Sequence, residues 1–504
     1  MTQSRPKAFV GLMAITLVGQ MTVLAYDVAV TRQFGTTVHA DALALAFMVA
    51  FALGNEVAGW VGAVVVPKYL ETEQAGVDTA GGFLSAILIA VSVMTAIIAA
   101  MLMSLAPVVS AMLGESRAAH DALVRLFAPL VVLLPVAAIL ASALHAKERF
   151  SLAAMRPVLG YGAAFIGVVV WGGAGTAVVP IAMTAGLAGY STILAFAARP
   201  AMRQPRAGAW HQLRRVACSV APLAVMSVIN YSQILVERGL AAQLGEGALS
   251  AMTYAFRLVN APITLLVVTA ATMLFPLMST RRMREGEAAA TSVVLRAVGL
   301  SMMVATPLAG LLMSCSDLIV TLLFQRGAFN PDSSRMTALA VFYYAPALVG
   351  LTAVQLLVRA YWALGRIRRL AAIHLGAGVF GILVMAGLAV AMGFRGLAIA
   401  VSITALVHAA GLLAGLPRQS SGSALRSLGS LAVRVCATTS LAVAAAFLAR
   451  RAPGNMVCQL GFGLGTGMIV YAFLIKRVAP LEWASTIGAL SIWRHRPERH
   501  VPRI

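Results

Sequence analysis

Two long apolar segments joined by the short polar turn Gly245-Glu246-Gly247 run from Met226 to Pro276, and in the second of them five polar residues, Ser250, Thr253, Arg257, Asn260 and Thr264, recur at helical spacing. At 100° per residue they fall within one narrow arc of a helix. The fourteen steps from Ser250 to Thr264 at about 1.5 Å rise make the stripe about 21 Å long, most of a hydrocarbon core about 30 Å thick. A guanidinium at the centre of such a helix costs at least about 2.5–3.5 kcal/mol unless it faces protein or a water-filled interior. Arg257 is too far from either end of the segment to snorkel. Its planar donors suit carboxylate or phosphate oxygens, so the chemistry on offer is anion binding within a membrane.

Three further segments carry polar faces. Thr16, Gln20, Asp27 and Thr31 share one side of the first apolar segment, Asn230, Gln233 and Glu237 one side of the seventh, and Thr352, Gln355 and Arg359 one side of the tenth. Distributed over both halves of the chain, these faces predict a hydrophilic cavity between helices, as alternating access requires. A lipid bearing a diphosphate would satisfy both the arginines and the greasy surroundings. Glu56 has two readings, facing the cavity or pairing with a neighbouring helix.

The elements that must position these residues are membrane helices. The chain has 504 residues, is 60% hydrophobic and 11% charged, and has a mean hydropathy of +0.89, values that a water-soluble domain could not carry without large exposed apolar patches. The predicted fold class is an all-α polytopic membrane protein with fourteen transmembrane helices. Residues 1–200 form an N-lobe of spans 1–6, 201–215 a basic cytoplasmic linker, 216–417 a C-lobe of spans 7–12, 418–476 spans 13 and 14, and 477–504 a basic tail. Ala42 to Phe47 answers Ala248 to Thr253, and Leu152-Ala153-Ala154 answers Leu370-Ala371-Ala372. These matches predict two six-helix lobes in a parallel pseudo-two-fold repeat.

The net charge of +21 raises nucleic acid as a partner, but the basic residues concentrate in alternate loops, which hold about 27 of the 38 Lys plus Arg. That pattern is a membrane topology with both termini cytoplasmic and no nucleic-acid partner. The loops at Lys147 and Arg149, Arg199 to Arg215, Arg281 to Arg284 and Arg366 to Arg369 are on the basic side. The N-terminus, with Arg5 and Lys7 before a long apolar run, is expected to be the retained first span rather than a signal peptide.

No GxSxG elbow, HExxH, Walker loop or DxxD-type carboxylate pair occurs, and the whole chain has 17 acids. The expectation is a non-enzyme without metal or cofactor. Cys218, Cys315, Cys436 and Cys458 lack metal-ligand or CxxC spacing and are expected to be free, buried thiols. The run Gly461 to Gly465 lacks the context of a dinucleotide site and is expected to serve close helix packing. His374 and His408, each alone in a span, are expected to be packed or hydrogen-bonded residues.

Several short motifs, in order and spacing, resemble the MurJ (MviN) lipid-linked precursor flippases of the multidrug, oligosaccharidyl-lipid and polysaccharide exporter superfamily. They are Asp27 to Arg32 with Phe34-Gly35, Asp41-Ala42, Val66-Pro67, Tyr254 to Leu258, Arg326-Gly327-Ala328-Phe329, Arg359 to Gly365, and Gly396-Leu397-Ala398. The resemblance implies a two-lobe transporter that carries an undecaprenyl-diphosphate-linked saccharide from the inner to the outer leaflet of the bacterial inner membrane, acting as a monomer. Under it, Arg257 matches the family's functional arginine, with Arg359, Asn260, Gln20, Asp27, Asp41 and Gln355 as further candidate substrate contacts. Glu237 stands where the family often has an acidic, cation-linked residue, so Na+ or H+ coupling is a possibility beside drive by membrane potential. Gln20, Tyr26 and Gly54-Asn55 replace the family's usual basic residues, Arg366 a usual aspartate, and Met385 lies near a usual asparagine. These departures point to a diverged substrate, such as an exopolysaccharide intermediate. Two alternatives are a small-molecule antiporter on the same fold and a non-transporting partner in a glycan-assembly complex.

Overall fold

The structure, a computed structural model, describes residues 5–74, 77–111, 117–146, 150–205, 207–416, 418–451, 453–480 and 482–484, with side chains omitted in parts of several helices. The side chains of Val66, Pro67, Cys218 and Arg281 to Arg284, the turn at Lys147 and Arg149, and the basic tail beyond residue 484 lie outside this description. The described residues form helices and turns, with no strand among them. In chain order these are α1 (Arg5–Phe34), α2 (Val38–Gln74), α3 (Val77–Ser104), α4 (Ala106–Ser110), α5 (Arg117–Phe127), α6 (Leu130–Ala146), α7 (Phe150–Ala154), α8 (Arg156–Trp171) and α9 (Val178–Ala198). There follow α10 (Ala207–Gln243), α11 (Ala248–Ser314), α12 (Ser316–Phe324), α13 (Pro331–Tyr344), α14 (Ala347–Ala363), α15 (Ile367–Ala414), α16 (Arg418–Ala449) and α17 (Met456–Val478).

Among the described residues, ten helices are long and apolar enough to cross a membrane, or eleven with α13 and α14 taken as one span bent by 49°. The sequence expectation of fourteen is higher, and part of the difference is geometric. As one straight rod, the 48 residues of α15 would reach about 72 Å, over twice the hydrocarbon thickness. The rod breaks at Gly393, where φ is 60° and ψ is −137°, a conformation open to glycine without strain. His374 and His408 lie 34 positions apart, about 51 Å along a straight helix. Their ring centroids are 4.8 Å apart, so the chain doubles back and α15 makes two passes. The 67-residue α11 likewise breaks at Gly286.

Two basic stretches expected as loops are helical. α11 continues through Arg281 to Arg284 as far as Gly286, and α10 starts at Ala207 and continues through Arg215. Arginine is a good helix former, and Gly or Pro is absent from Arg281 to Arg284 and from Ala209 to Arg215.

The chain divides into two compact units. The first comprises Met1–Tyr254, Leu323–Thr337 and Gly378–Leu397, the second Ala255–Leu322, Ala338–Ala377 and Ala398–Ile504. In the first, α2 packs on α6, α8 on α9, and α1 on α8. Phe47 stacks on Phe51 at 4.9 Å and meets Phe127 edge-on at 5.6 Å, while Tyr26 meets Tyr161 at 5.3 Å. Glu56 accepts hydrogen bonds from Ser227 and from Asn230 on α10, which settles its reading as a helix-pairing residue. In the second unit the Tyr471 hydroxyl donates to Met303 O at 2.7 Å, and Tyr361 donates to Leu412 O at 2.8 Å. The break before α14 frees the Ala347 N–H, and Ser402 Oγ accepts it at 3.1 Å while donating to Tyr343 O at 2.7 Å. Backbone groups left open within a membrane need partners of this kind.

Cys315 is buried and free, as expected, but Cys436 and Cys458 are free and exposed, a correction to the expectation of burial. They sit on α16 and α17, whose outward faces are apolar (Val433, Leu441, Ile469 and Phe473 are all exposed), and a thiol is compatible with such a face. Of the glycine run, Gly463 packs on Arg450 and Cys315, whereas Gly461 and Gly465 have open space around them.

Candidate functional site

The first unit gathers four helix ends into one polar junction. α10 ends at Gln243 and α11 starts at Ala248, with Gly245 (φ 118°) and Gly247 (φ 79°) forming the turn, so this short turn lies where the sequence places it. The first N–H groups of a helix have no intrahelical acceptors. Asp41, near the start of α2 and 5% exposed, fills that need from another helix. Its Oδ2 accepts the Gly247 N–H at 2.8 Å and its Oδ1 the Ser250 N–H at 2.7 Å, an arrangement the helix dipole also favours. The Tyr254 hydroxyl donates to Gly35 O at 3.3 Å, and its ring lies 6.1 Å from Phe329. The Ala328 N–H donates to Arg32 O at 2.9 Å, and the Thr36 and Ser333 hydroxyls share a 2.6 Å bond. A Cβ on Gly327 would lie 2.4 Å from Arg32 O, so the close approach of the two backbones requires glycine there.

The other candidates of this unit lie elsewhere on its helices. Gln20 is half-buried and Asp27 is 3% exposed on α1. On α10, Gln233 donates to Gly378 O at 3.3 Å. Glu237, 9% exposed, has its carboxylate 3.7 Å from Arg238, which is 2% exposed and donates to Thr253 Oγ1 at 3.2 Å. Sequence reasoning missed Arg238, although an arginine within an apolar stretch is itself a signal.

In the second unit Arg257 and Asn260 are half-buried on α11. On α14, Gln355 is exposed and Arg359 half-buried, with the Arg359 guanidinium donating to the backbone carbonyl of Gln355 at 3.1 Å. Arg366 pairs with Glu287 at 2.8 Å. The two histidines expected to be solitary meet edge-to-face, and His374 Nδ1 and His408 Nε2 are buried without a hydrogen-bond partner. Their separation in the chain hides this contact from a linear reading. Gln20, Asp27, Asp41 and Glu237 thus belong to the first unit, and Arg257, Asn260, Gln355 and Arg359 to the second. Among the described residues, no group of three or more His, Cys, Asp or Glu is arranged to hold a metal ion.

Long apolar helices with broken passes, polar faces and partly buried arginines define a polytopic membrane protein. The fold is shared with a solved structure of a lipid II flippase MurJ in an inward closed conformation (TM-score 0.78, 17% identity, 93% of this chain and 98% of that one). It is also shared with an inward-facing multidrug resistance MATE family transporter of the MOP superfamily (TM-score 0.62, 13% identity, 84% and 98% coverage). The family described as Lipid II flippase MurJ matches residues 30–461, and the chain belongs to that family. Among curated relatives, the lipid II flippase MurJ of Burkholderia cenocepacia is 24% identical over 434 residues, 82% of this chain and 84% of that protein. A probable lipid II flippase MurJ of Treponema pallidum is 24% identical over 371 residues, 70% of each chain.

Proposed function

We propose that this chain moves an undecaprenyl-diphosphate-linked saccharide, lipid II or a related envelope or exopolysaccharide precursor, from the inner to the outer leaflet of the bacterial inner membrane. Fourteen spans, arranged as two six-helix lobes and two C-terminal helices, alternate access to a central cavity. Arg257 and Arg359 contact the diphosphate, with Asn260, Gln355, Gln20 and Asp27 lining the path. Family membership over residues 30–461 carries this reading. The junction around Asp41 supports it: its helix ends are joined by turns poor in Lys and Arg, which the positive-inside rule assigns to the outer face. A polar closure on that side suits a transporter loading from within.

Rescue of a strain depleted of its own MurJ tests the reading. Wild-type chain that restores growth, with Arg257→Ala reaching the membrane but failing to restore it, is the expected pair of results. Equal rescue by Arg257→Ala would sink the role given to that residue, and full rescue by the wild type would rule out a substrate diverged from lipid II. The drive is either membrane potential, about 2.3 kcal/mol per charge per 100 mV, or a cation at Glu237. Replacing Na+ by K+ and varying the proton gradient in vesicles separate these. The likeness to a MATE transporter gives the antiporter alternative its one support. Export of a cationic dye from vesicles would establish it.

A further inference from the structure

Gly54 and Asn55 lie in the middle of α2. A Cβ on Gly54 would lie 2.8 Å from Leu130 O and 3.0 Å from Leu134 Cδ1, so α2 approaches α6 too closely there for any side chain. The next residue, Asn55, is exposed, and its Oδ1 accepts a hydrogen bond from Arg156 Nη1 at 3.4 Å. Arg156 is the first residue of α8, half-buried, and its guanidinium reaches across to α2.

No acid neutralises this guanidinium among the described residues. Glu56, next to Asn55, spends its carboxylate on Ser227 and Asn230 of α10. Tyr161 and Tyr190 are within electrostatic reach of Arg156, and the Tyr190 hydroxyl is already given to Ala153 O at 2.8 Å. A guanidinium has five N–H donors, and the bond to Asn55 uses one. A cation held in a span by a neutral amide, with donors to spare, is suited to an anion that comes and goes.

We propose that Arg156, oriented by Asn55, contacts the diphosphate of the lipid-linked substrate, supplying a positive charge from α8 beside a stretch of α2 that carries only a glycine and a neutral amide at positions 54 and 55. The inference rests on the flippase reading and adds a residue to it. The test is binding of undecaprenyl diphosphate and of undecaprenol to the full chain in nanodiscs. Wild type is compared with Arg156→Gln, Arg156→Lys, Asn55→Ala and Arg257→Gln, each checked by thermal melting. Arg156→Gln is expected to weaken diphosphate binding by about 10-fold and to leave undecaprenol unchanged, with Arg156→Lys intermediate. Asn55→Ala, which removes only the orienting bond, should cost about two- to threefold.

Diphosphate affinity within twofold of wild type in Arg156→Gln, while Arg257→Gln loses it, overturns the proposal. So does a lowered melting temperature with unchanged preference, which marks a structural arginine. Wild type that fails to prefer the diphosphate overturns the flippase reading itself, a result visible without any variant.

Discussion

Asp41 of α2 holds the first turn of α11 from outside: its two carboxylate oxygens take the N–H groups of Gly247 and Ser250, 206 and 209 residues further along the chain. Asp41→Asn keeps one acceptor and loses the charge, and Asp41→Ala loses both. Hydrogen bonds to a charged group contribute about 1.5–3 kcal/mol. Hydrogen–deuterium exchange of residues 245–254 is therefore expected to speed up by about 10-fold or more in Asp41→Ala and less in Asp41→Asn. Unchanged exchange in both would show that the cap is idle.

Arg359 and Gln355 separate a side-chain role from a backbone one. The Arg359 guanidinium is held by the carbonyl of residue 355, not by its amide side chain, so Gln355→Ala should leave Arg359 in place. Transport in proteoliposomes is expected to fall about 10-fold in Arg359→Gln, the loss of one charged contact. It should change less than threefold in Gln355→Ala.

Glu56 accepts from Ser227 and Asn230 in a partly buried setting. Glu56→Ala removes a charged acceptor shared by both side chains, a cost of about 1–3 kcal/mol. Glu56→Gln keeps an acceptor and should cost less. The melting temperature of the purified protein should fall in the order Ala below Gln below wild type.

The pair Arg366–Glu287 is partly open to solvent, with side chains 31% and 40% exposed. Partly exposed pairs contribute about 0–1 kcal/mol. Glu287→Gln is thus expected to shift stability by less than about 1 kcal/mol, measured by denaturant titration. A larger loss would identify the pair as part of a wider network.

Gly393 has φ of 60° with open space where a Cβ would sit. Contacts therefore do not forbid a side chain there; backbone strain does. Gly393→Val should destabilise by about 1–3 kcal/mol and lower the folded yield, with Gly393→Ala milder.

Elements with a local cause were legible in the sequence. The stripe through Arg257 follows from helical period alone, and the Gly245–Gly247 turn from its residue types. Pairings between distant segments were not legible. Asp41 reads as a charge at a helix start, and nothing local says that its partners lie beyond residue 240. The same holds for Glu56 with α10, for Arg156 with Asn55, and for the two histidines. The helical state of Arg281 to Arg284 was hidden differently, because charge argues for a water-facing segment but does not decide between coil and helix.

The junction at Asp41 is made largely of main-chain atoms: Arg32 O, Gly35 O, and the N–H groups of Gly247, Ser250 and Ala328. Water offers every one of them a partner of nearly equal strength. Parting such a seam trades protein hydrogen bonds for solvent ones almost one for one, apart from the carboxylate.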